Sequence, residues 1–402
     1  MDSPRLIHLT ERVPRIVRLH RADVDFLLDE HRGRFEVVPA GTGRYRLTAL
    51  GVAGVLAMPR SRLAIRPKLT AANLWHLLDP LHPPPVSCSP SQPADAVRLP
   101  DLFTARFATL LTERIAAGLH RDYVERAEVS PILRGKLDVA EQIRDTTARR
   151  DRLHGRFDEF TADIPCNRLP RAVAEALLNH PCVGDEARGP LAAALGAFGE
   201  VRAEPLTNEL CQVAAPDERR CAGYGPLLAL CRLIAGGMTS SGIAGPNAGP
   251  AFLLDLEAAW ERYVMFALSH AVCGSGSHAL VVCAQPYLSA SPPATGQPEL
   301  HVRPDILVVS GEQRKPRMVI DAKWKRLSPA ALPTDDVYQV LAYAAALGVP
   351  RAVLVYPASH NRCWTYPTAG PRLDVITLRI TGSLERCESA RRRFGRWLVR
   401  EA

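Results

Sequence analysis

Asp305, Asp321 and Lys323 are the side chains of this sequence whose types and spacing could do chemistry. They share one string, residues 303–325, RPDILVVSGEQRKPRMVIDAKWK. Two β-rich runs, Asp305 to Val309 and Met318 to Asp321, flank the polar turn Gly311 to Lys315, the pattern of a β-hairpin. In an antiparallel pair the start of one strand lies beside the end of the next. Asp305 is therefore expected to meet Asp321. Lys323, two residues on along an extended chain, points to the same face as Asp321. Two carboxylates and an ammonium at one spot suit metal-dependent phosphodiester hydrolysis, in which a divalent ion activates water and takes up charge on the phosphate. Mg²⁺, with Mn²⁺ as a possible substitute, takes hard oxygen ligands. The expected ligands are Asp305, Asp321 and the backbone carbonyl of Ala322. Lys323 would orient the attacking water and stabilise the developing anion.

An Asp-x-Lys triplet alone also describes an ion pair at a strand end. The Pro304-Asp305 step before an apolar strand narrows the reading, as do the helices on either side. Phe252 to Ala271 has helical apolar spacing (Leu253, Leu256, Trp260, Tyr263, Val264, Ala267) and carries Glu261, with Glu257 one turn earlier. A helix opening at Asp335 has an acidic first turn, favourable to its dipole. It carries Gln339 and Tyr343 on one face and stops at Gly348. Val281 to Ala284 and Arg351 to Tyr356 read as further strands, which completes an α/β unit over 251–402.

Ahead of it, alternation in Phe35 to Val38 and Tyr45 to Leu47, joined by the turn Ala40 to Gly43, predicts a hairpin. With Gly51 to Ala57 and Leu63 to Lys68 it gives a β-rich domain over 1–81, in which Gly51 and Gly54 serve turns. Prolines and serines at 82–99 mark a linker. Residues 100–235 read as a mainly helical domain, with segments near Leu102 to Ile115, Arg168 to Asn179, 188–200 and 224–235. Gly236 to Pro250 reads as a loop. The fold class is α+β, in several domains.

The chain has 402 residues, net charge +8, and a 47% hydrophobic and 23% charged composition. That is ordinary for a globular protein, and the basic excess favours a polyanionic partner without naming one. No apolar run reaches membrane-span length, and the first residues lack the apolar core of a signal peptide. A cytoplasmic location with no membrane partner is expected. The ten cysteines form no CxxC pair, which excludes a zinc ribbon or thioredoxin-type motif, and are expected to be reduced. No HExxH, GxSxG or GxxxxGK[ST] pattern occurs, so the chain itself is expected to bind no nucleotide through a Walker loop.

The order helix-Glu261, Pro304-Asp305, Asp321-Ala322-Lys323, Gln339-helix resembles the PD-(D/E)XK nuclease core. More narrowly, Leu254 to Val264, Arg303 to Ile306, Asp321 to Lys325 and Tyr338 to Ala344 resemble the McrC family. So do Gly54-Val55 with Ile65 to Lys68, Leu133 to Asp138, and Phe160 to Arg168. The resemblance implies a restriction-endonuclease-like C-terminal domain with a mixed central sheet, and a Mg²⁺-dependent endodeoxyribonuclease. It implies catalytic roles for Asp305, Asp321, Lys323, Glu261 and Gln339. It also implies a partner, an McrB-like AAA+ GTPase ring that carries the modified-DNA reader and whose GTPase this chain stimulates. The substrate would be double-stranded DNA carrying a modification. Candidate DNA contacts are Lys325, Arg326, Arg134 and Lys136. The run Arg391 to Arg393 could track DNA or form a solvated helix face. Two other readings stay open, a non-catalytic regulator of a AAA+ motor and a stand-alone repair nuclease.

Overall fold

The computed structural model describes residues 5–84, 94–144, 151–213, 223–239, 251–275, 280–284, 288–289, 301–311, 315–328 and 331–401. Half of the expected linker at 82–99, residues 240–250 of the expected Gly236–Pro250 loop and the middle of the 311–315 turn lie outside them, and the loop's expected first residues instead close the Gly225–Thr239 helix. The chain forms two compact units, residues 1–97 with 253–402, and residues 98–252.

This grouping differs from the expected separation of 1–81 and 251–402. Long-range polar contacts, invisible to local periodicity, tie those two stretches into one unit. Leu256 N donates to Gly51 O at 2.7 Å, Asn73 Nδ2 to Gly382 O at 3.0 Å and the Trp324 indole to Glu11 Oε1 at 2.6 Å. Gly51 holds φ +62°, and a Cβ there would strike the Glu257 side chain, so the turn needs glycine.

The N-terminal residues make two small sheets. One has the strand order Arg5–Thr10, Ser61–Arg66, Val52–Ala57, Ala251–Asp255. The other has Arg15–Arg18, Arg44–Ala49, Phe35–Pro39, and the expected hairpin is its Phe35–Pro39 and Arg44–Ala49 pair. The helix expected from Phe252 begins instead at Leu256. Residues before it extend as a strand, and Asp255 caps the helix by accepting from Ala258 N at 2.9 Å, a favoured helix start.

The sheet that bears the candidate site is six-stranded and mixed, in the order Leu280–Ala284, Ile306–Ser310, Pro316–Ala322, Arg351–Ala358, Arg372–Arg379, Arg362–Tyr366. The hairpin pairs Ile306 with Ile320 in antiparallel register. Pro316–Ala322 then runs parallel to Arg351–Ala358, which runs parallel to Arg372–Arg379. Val319, Leu354 and Val375 bury themselves with Val340 and Ala344 of the Thr334–Ala346 helix. With side chains alternating along a strand, Asp321 and Lys323 continue the face that this helix covers.

The second unit is mainly helical, through Leu99–Ala116, Pro165–Leu178, Asp185–Leu195 and Gly225–Thr239. It also contains a three-stranded sheet, Asp122–Ser130, Leu153–Thr161 and Lys136–Leu137, which periodicity did not foretell. Its long strands, DYVERAEVS and LHGRFDEFT, bury almost nothing and so show no apolar alternation. In the string Phe160 to Arg168, Asp163 accepts from Arg168 Nε at 2.7 Å, Arg126 Nη2 at 3.2 Å and Arg202 N at 2.9 Å. Asn167 donates to Ala162 O at 2.7 Å and accepts from the Tyr224 hydroxyl at 2.5 Å. That motif is a buried polar joint.

Among the described residues no helix is long and apolar enough to cross a membrane. Cys182, Cys211, Cys231, Cys273, Cys283, Cys363 and Cys387 are free thiols. Cys166 is disulfide-bonded, against the expectation of reduced cysteines.

Candidate active site

The hairpin brings the expected residues together. Asp305 lies just before Ile306–Ser310 and Asp321 near the end of Pro316–Ala322. The Asp305 carboxylate accepts the Ala322 amide at 2.8 Å, which fixes it across the strand end. The Lys323 ammonium stands 2.7 Å from Asp321 Oδ2 and donates to Gln339 Oε1 at 2.8 Å. Gln339 Nε2 donates to the Tyr343 hydroxyl at 3.0 Å, as their shared helix face requires.

Asp321 is buried, with 1% of its surface exposed. Its Oδ2 is ion-paired with the Lys323 ammonium at 2.7 Å. Burial raises the pKa of Asp321, and the negative charge of Asp305 raises it further, while Lys323 opposes both. Burial likewise raises Asp305. The Ala322 amide pulls it back, and the charge of Glu261 adds to the rise. Burial works against the Lys323 charge, but Asp321 and Asp305 outweigh it and its pKa lies above the lysine norm. Lys323 therefore remains an ammonium.

Glu261 is half-buried on the Leu256–Gly274 helix and acts on Asp305 through its charge. Glu257 instead forms an ion pair with Arg12. Among the described residues no group of three or more His, Cys, Asp or Glu side chains is placed to hold a metal. The acidic side chains gathered at the hairpin end are thus Asp305 and Asp321, and their fit to an ion rests on two mutually repelling carboxylates whose hard oxygens suit a divalent cation.

Asp336 was legible only as an acidic first turn. It is buried, accepts from Lys325 Nζ at 2.9 Å and from the Tyr356 hydroxyl at 2.6 Å, and its charge reaches Asp321. Lys325 is thus tied down, whereas Arg326 is exposed. Arg134 and Lys136 belong to the other unit. Arg134 stacks over the Phe157 ring at 4.2 Å, and Lys136 is exposed. Arg391 is buried and forked onto Glu388 at 2.6 and 2.9 Å, which makes it structural. Sequence reasoning also passed over Glu11 and Arg12. Glu11 is buried against Trp324, and Arg12 takes φ +53° in a turn. No local pattern marks either.

Comparison with known structures finds a refined half-complex from a tetradecameric assembly of Thermococcus gammatolerans McrB AAA+ hexamers with bound McrC. It is similar at 18% identity and TM-score 0.53, over 98% of this chain and 100% of that one. The cryo-EM structure of the Thermococcus gammatolerans McrBC complex is similar at 20% identity and TM-score 0.43, over 66% and 88%. No curated protein matches. The model of one family, described as McrBC 5-methylcytosine restriction system component, matches residues 47–357, well over half of the chain. With the hairpin site in place and that match spanning its motifs, the chain belongs to the McrBC 5-methylcytosine restriction system component family, as its McrC-like strings implied.

Proposed function

We propose that this chain is the DNA-cutting subunit of its restriction system, a divalent-metal-dependent endonuclease of the PD-(D/E)XK type. The observation that carries the reading is the meeting of Asp305, Asp321 and Lys323 at one hairpin end, with Asp321 buried and ion-paired with the lysine. Mg²⁺ would be held by Asp305, Asp321 and the Ala322 carbonyl, with Glu261 acting through water. When bound, the ion supplies a lowered water pKa and a sink for phosphate charge.

The chain's own residues do the rest. Asp305, pinned by the Ala322 amide, and Asp321 form a preset acidic wall. The Lys323 ammonium is too basic to abstract a proton, so it donates. It orients the attacking water and stabilises charge building on the phosphate oxygens. Gln339 and Tyr343 hold that ammonium in line. Arg326 offers phosphate contact, which gives affinity without sequence information.

One similar solved structure is of McrB AAA+ hexamers with bound McrC. By family, we assign this chain the same kind of partner, a nucleotide-driven AAA+ ring that reads modified DNA and whose GTPase this chain stimulates. The test is reconstitution with the AAA+ protein from the same source, Mg²⁺, GTP and methylated duplex DNA. Lys323→Ala is expected to abolish cleavage and to leave complex formation and nucleotide hydrolysis intact. Cleavage retained by that variant would refute the assignment, and cutting without any nucleotide would point to a stand-alone nuclease.

A further inference from the structure

A cavity of about 810 Å³ lies in the same unit as the hairpin site, and Trp324, the residue after Lys323, lines it. Its wall includes Ala358 and Ile380, at and just past the carboxyl ends of Arg351–Ala358 and Arg372–Arg379. Open α/β sheets take their ligands at that edge.

Three features of the lining restrict what fits. Glu11 is 1% exposed. Its Oε1 accepts the Trp324 indole N–H at 2.6 Å, while its Oε2 has no hydrogen-bond partner. A buried carboxylate oxygen in that state calls for a ligand that donates N–H or O–H. Secondly, Arg12, Lys68, Arg326 and Arg362 also line the cavity, and this positive excess disfavours a cation and favours an anion. Thirdly, Trp364 and Tyr366 on the edge strand Arg362–Tyr366 also line it, and aromatic rings are surfaces on which a planar ring stacks.

A donor edge, a flat ring and a negative group together describe a nucleotide. We propose that this cavity is a nucleotide site that stacks the base on the edge-strand aromatics, reads its amino edge with Glu11 and takes its phosphate on the arginines. Guanine suits Glu11 best, because its ring N–H and exocyclic amine are adjacent donors. Adenine and cytosine offer one amine. Thymine and uracil flank a single N–H with carbonyls that a carboxylate repels. The nucleotide is either free or part of a DNA strand leaving the hairpin site.

The test uses the full chain in EDTA, so the outcome does not depend on the metal-site reading. Fluorescent GMP and a fluorescent guanine-containing single-stranded oligonucleotide are titrated and followed by anisotropy. Saturable binding of either is expected, with the UMP or thymine-only counterpart weaker by about tenfold or more. Oligonucleotide binding without GMP binding identifies a strand as the source, and the reverse identifies a free nucleotide. Glu11→Gln turns a donor toward the ligand's donors and is expected to weaken binding about tenfold or more. Trp364→Ala removes a half-buried ring from an edge strand and is expected to weaken it about tenfold. It serves as the decisive variant if Glu11→Gln does not fold. No saturable binding of either probe, no preference over UMP or the thymine-only strand, or wild-type affinity in either folded variant overturns the proposal.

Discussion

Lys323 donates its ammonium to Gln339 Oε1 across 2.8 Å, and so joins the end of the Pro316–Ala322 strand to the Thr334–Ala346 helix. The lysine is held from two sides, by a carboxylate on its own strand and by an amide from the covering helix. Holding a charged donor in place before substrate arrives removes reorganisation from the chemical step. Gln339→Ala frees the ammonium without removing it. We expect kcat for DNA cleavage to fall about 10- to 100-fold in the reconstituted complex, well short of the complete loss in Lys323→Ala. Steady-state cleavage assays at saturating partner separate the two outcomes. Equal losses would mean that Gln339 acts on substrate directly.

The paired carboxylates give the ion-free protein an unusual pH response. Burial and mutual repulsion raise Asp305 and Asp321 above the aspartate norm. The folded state thus holds protons that the unfolded state has released, and stability falls as pH climbs from the unfolded aspartate value into the raised range. Asp321→Asn removes one of the two charges. In EDTA at pH 8 this variant should melt above wild type, by about 2–4 °C for each kcal/mol relieved. Excess Mg²⁺ should stabilise wild type and not the variant. Scanning calorimetry with and without Mg²⁺ measures both. A variant that melts lower in EDTA would show that the carboxylates do not repel in the fold.

Much of this site was legible because its parts lie close in sequence. Asp305 and Asp321 are joined by one hairpin, and alternation alone orients Lys323 with Asp321. Gln339 was legible as the next helix's contribution. Glu11 and Asn73 were not, because their partners Trp324 and Gly382 stand more than three hundred residues away. The same distance hid the joining of the N-terminal and C-terminal stretches into one unit. The strands Asp122–Ser130 and Leu153–Thr161 escaped for another reason. They pair along nine residues but bury few side chains, so the signal that marks a strand, one apolar face, is missing. The string Phe160 to Arg168 was recognised by resemblance. Its physical role, carboxylate and amide caps on buried backbone and arginines, depends on partners distant in sequence such as Arg126, Arg202 and Tyr224.

His31 supplies a second pH dependence in the same unit. It is 2% exposed, packed edge-on against Phe26 at 5.1 Å and Phe35 at 6.1 Å, and neither ring nitrogen has a hydrogen-bond partner. Burial, helped by the Arg34 charge, lowers its pKa from 6.5 to about 4. The fold therefore keeps His31 neutral while the unfolded chain takes up a proton below pH 6.5, so stability drops as pH falls between those values. The slope from this group approaches about 1.4 kcal/mol per pH unit within the window. His31→Phe should flatten that slope. Urea unfolding at pH 7.0, 6.0 and 5.0 reads the effect, and parallel pH profiles for variant and wild type would rule it out.

A close helix packing in the unit sets a sharper test. Gly395 lies within Leu384–Glu401, which packs on Leu256–Gly274. A Cβ built on Gly395 would stand 2.5 Å from the Ala271 Cβ and 2.8 Å from the Ala267 carbonyl oxygen. Helix propensity alone makes Gly→Ala favourable by about 1 kcal/mol. The clash opposes it, and one of the colliding atoms is backbone, which cannot rotate away. Prising the helices apart also disturbs the helix that carries Glu261 and the Trp260 indole, which donates to Val355 O at 3.2 Å. Overpacking of this kind costs about 1–3 kcal/mol, so Gly395→Ala should destabilise the protein despite its better propensity. Gly395→Val, larger and β-branched, should cost more. Chemical denaturation of the two variants orders them. A Gly395→Ala protein more stable than wild type would show that the interface yields, and that propensity sets the balance at this crossing.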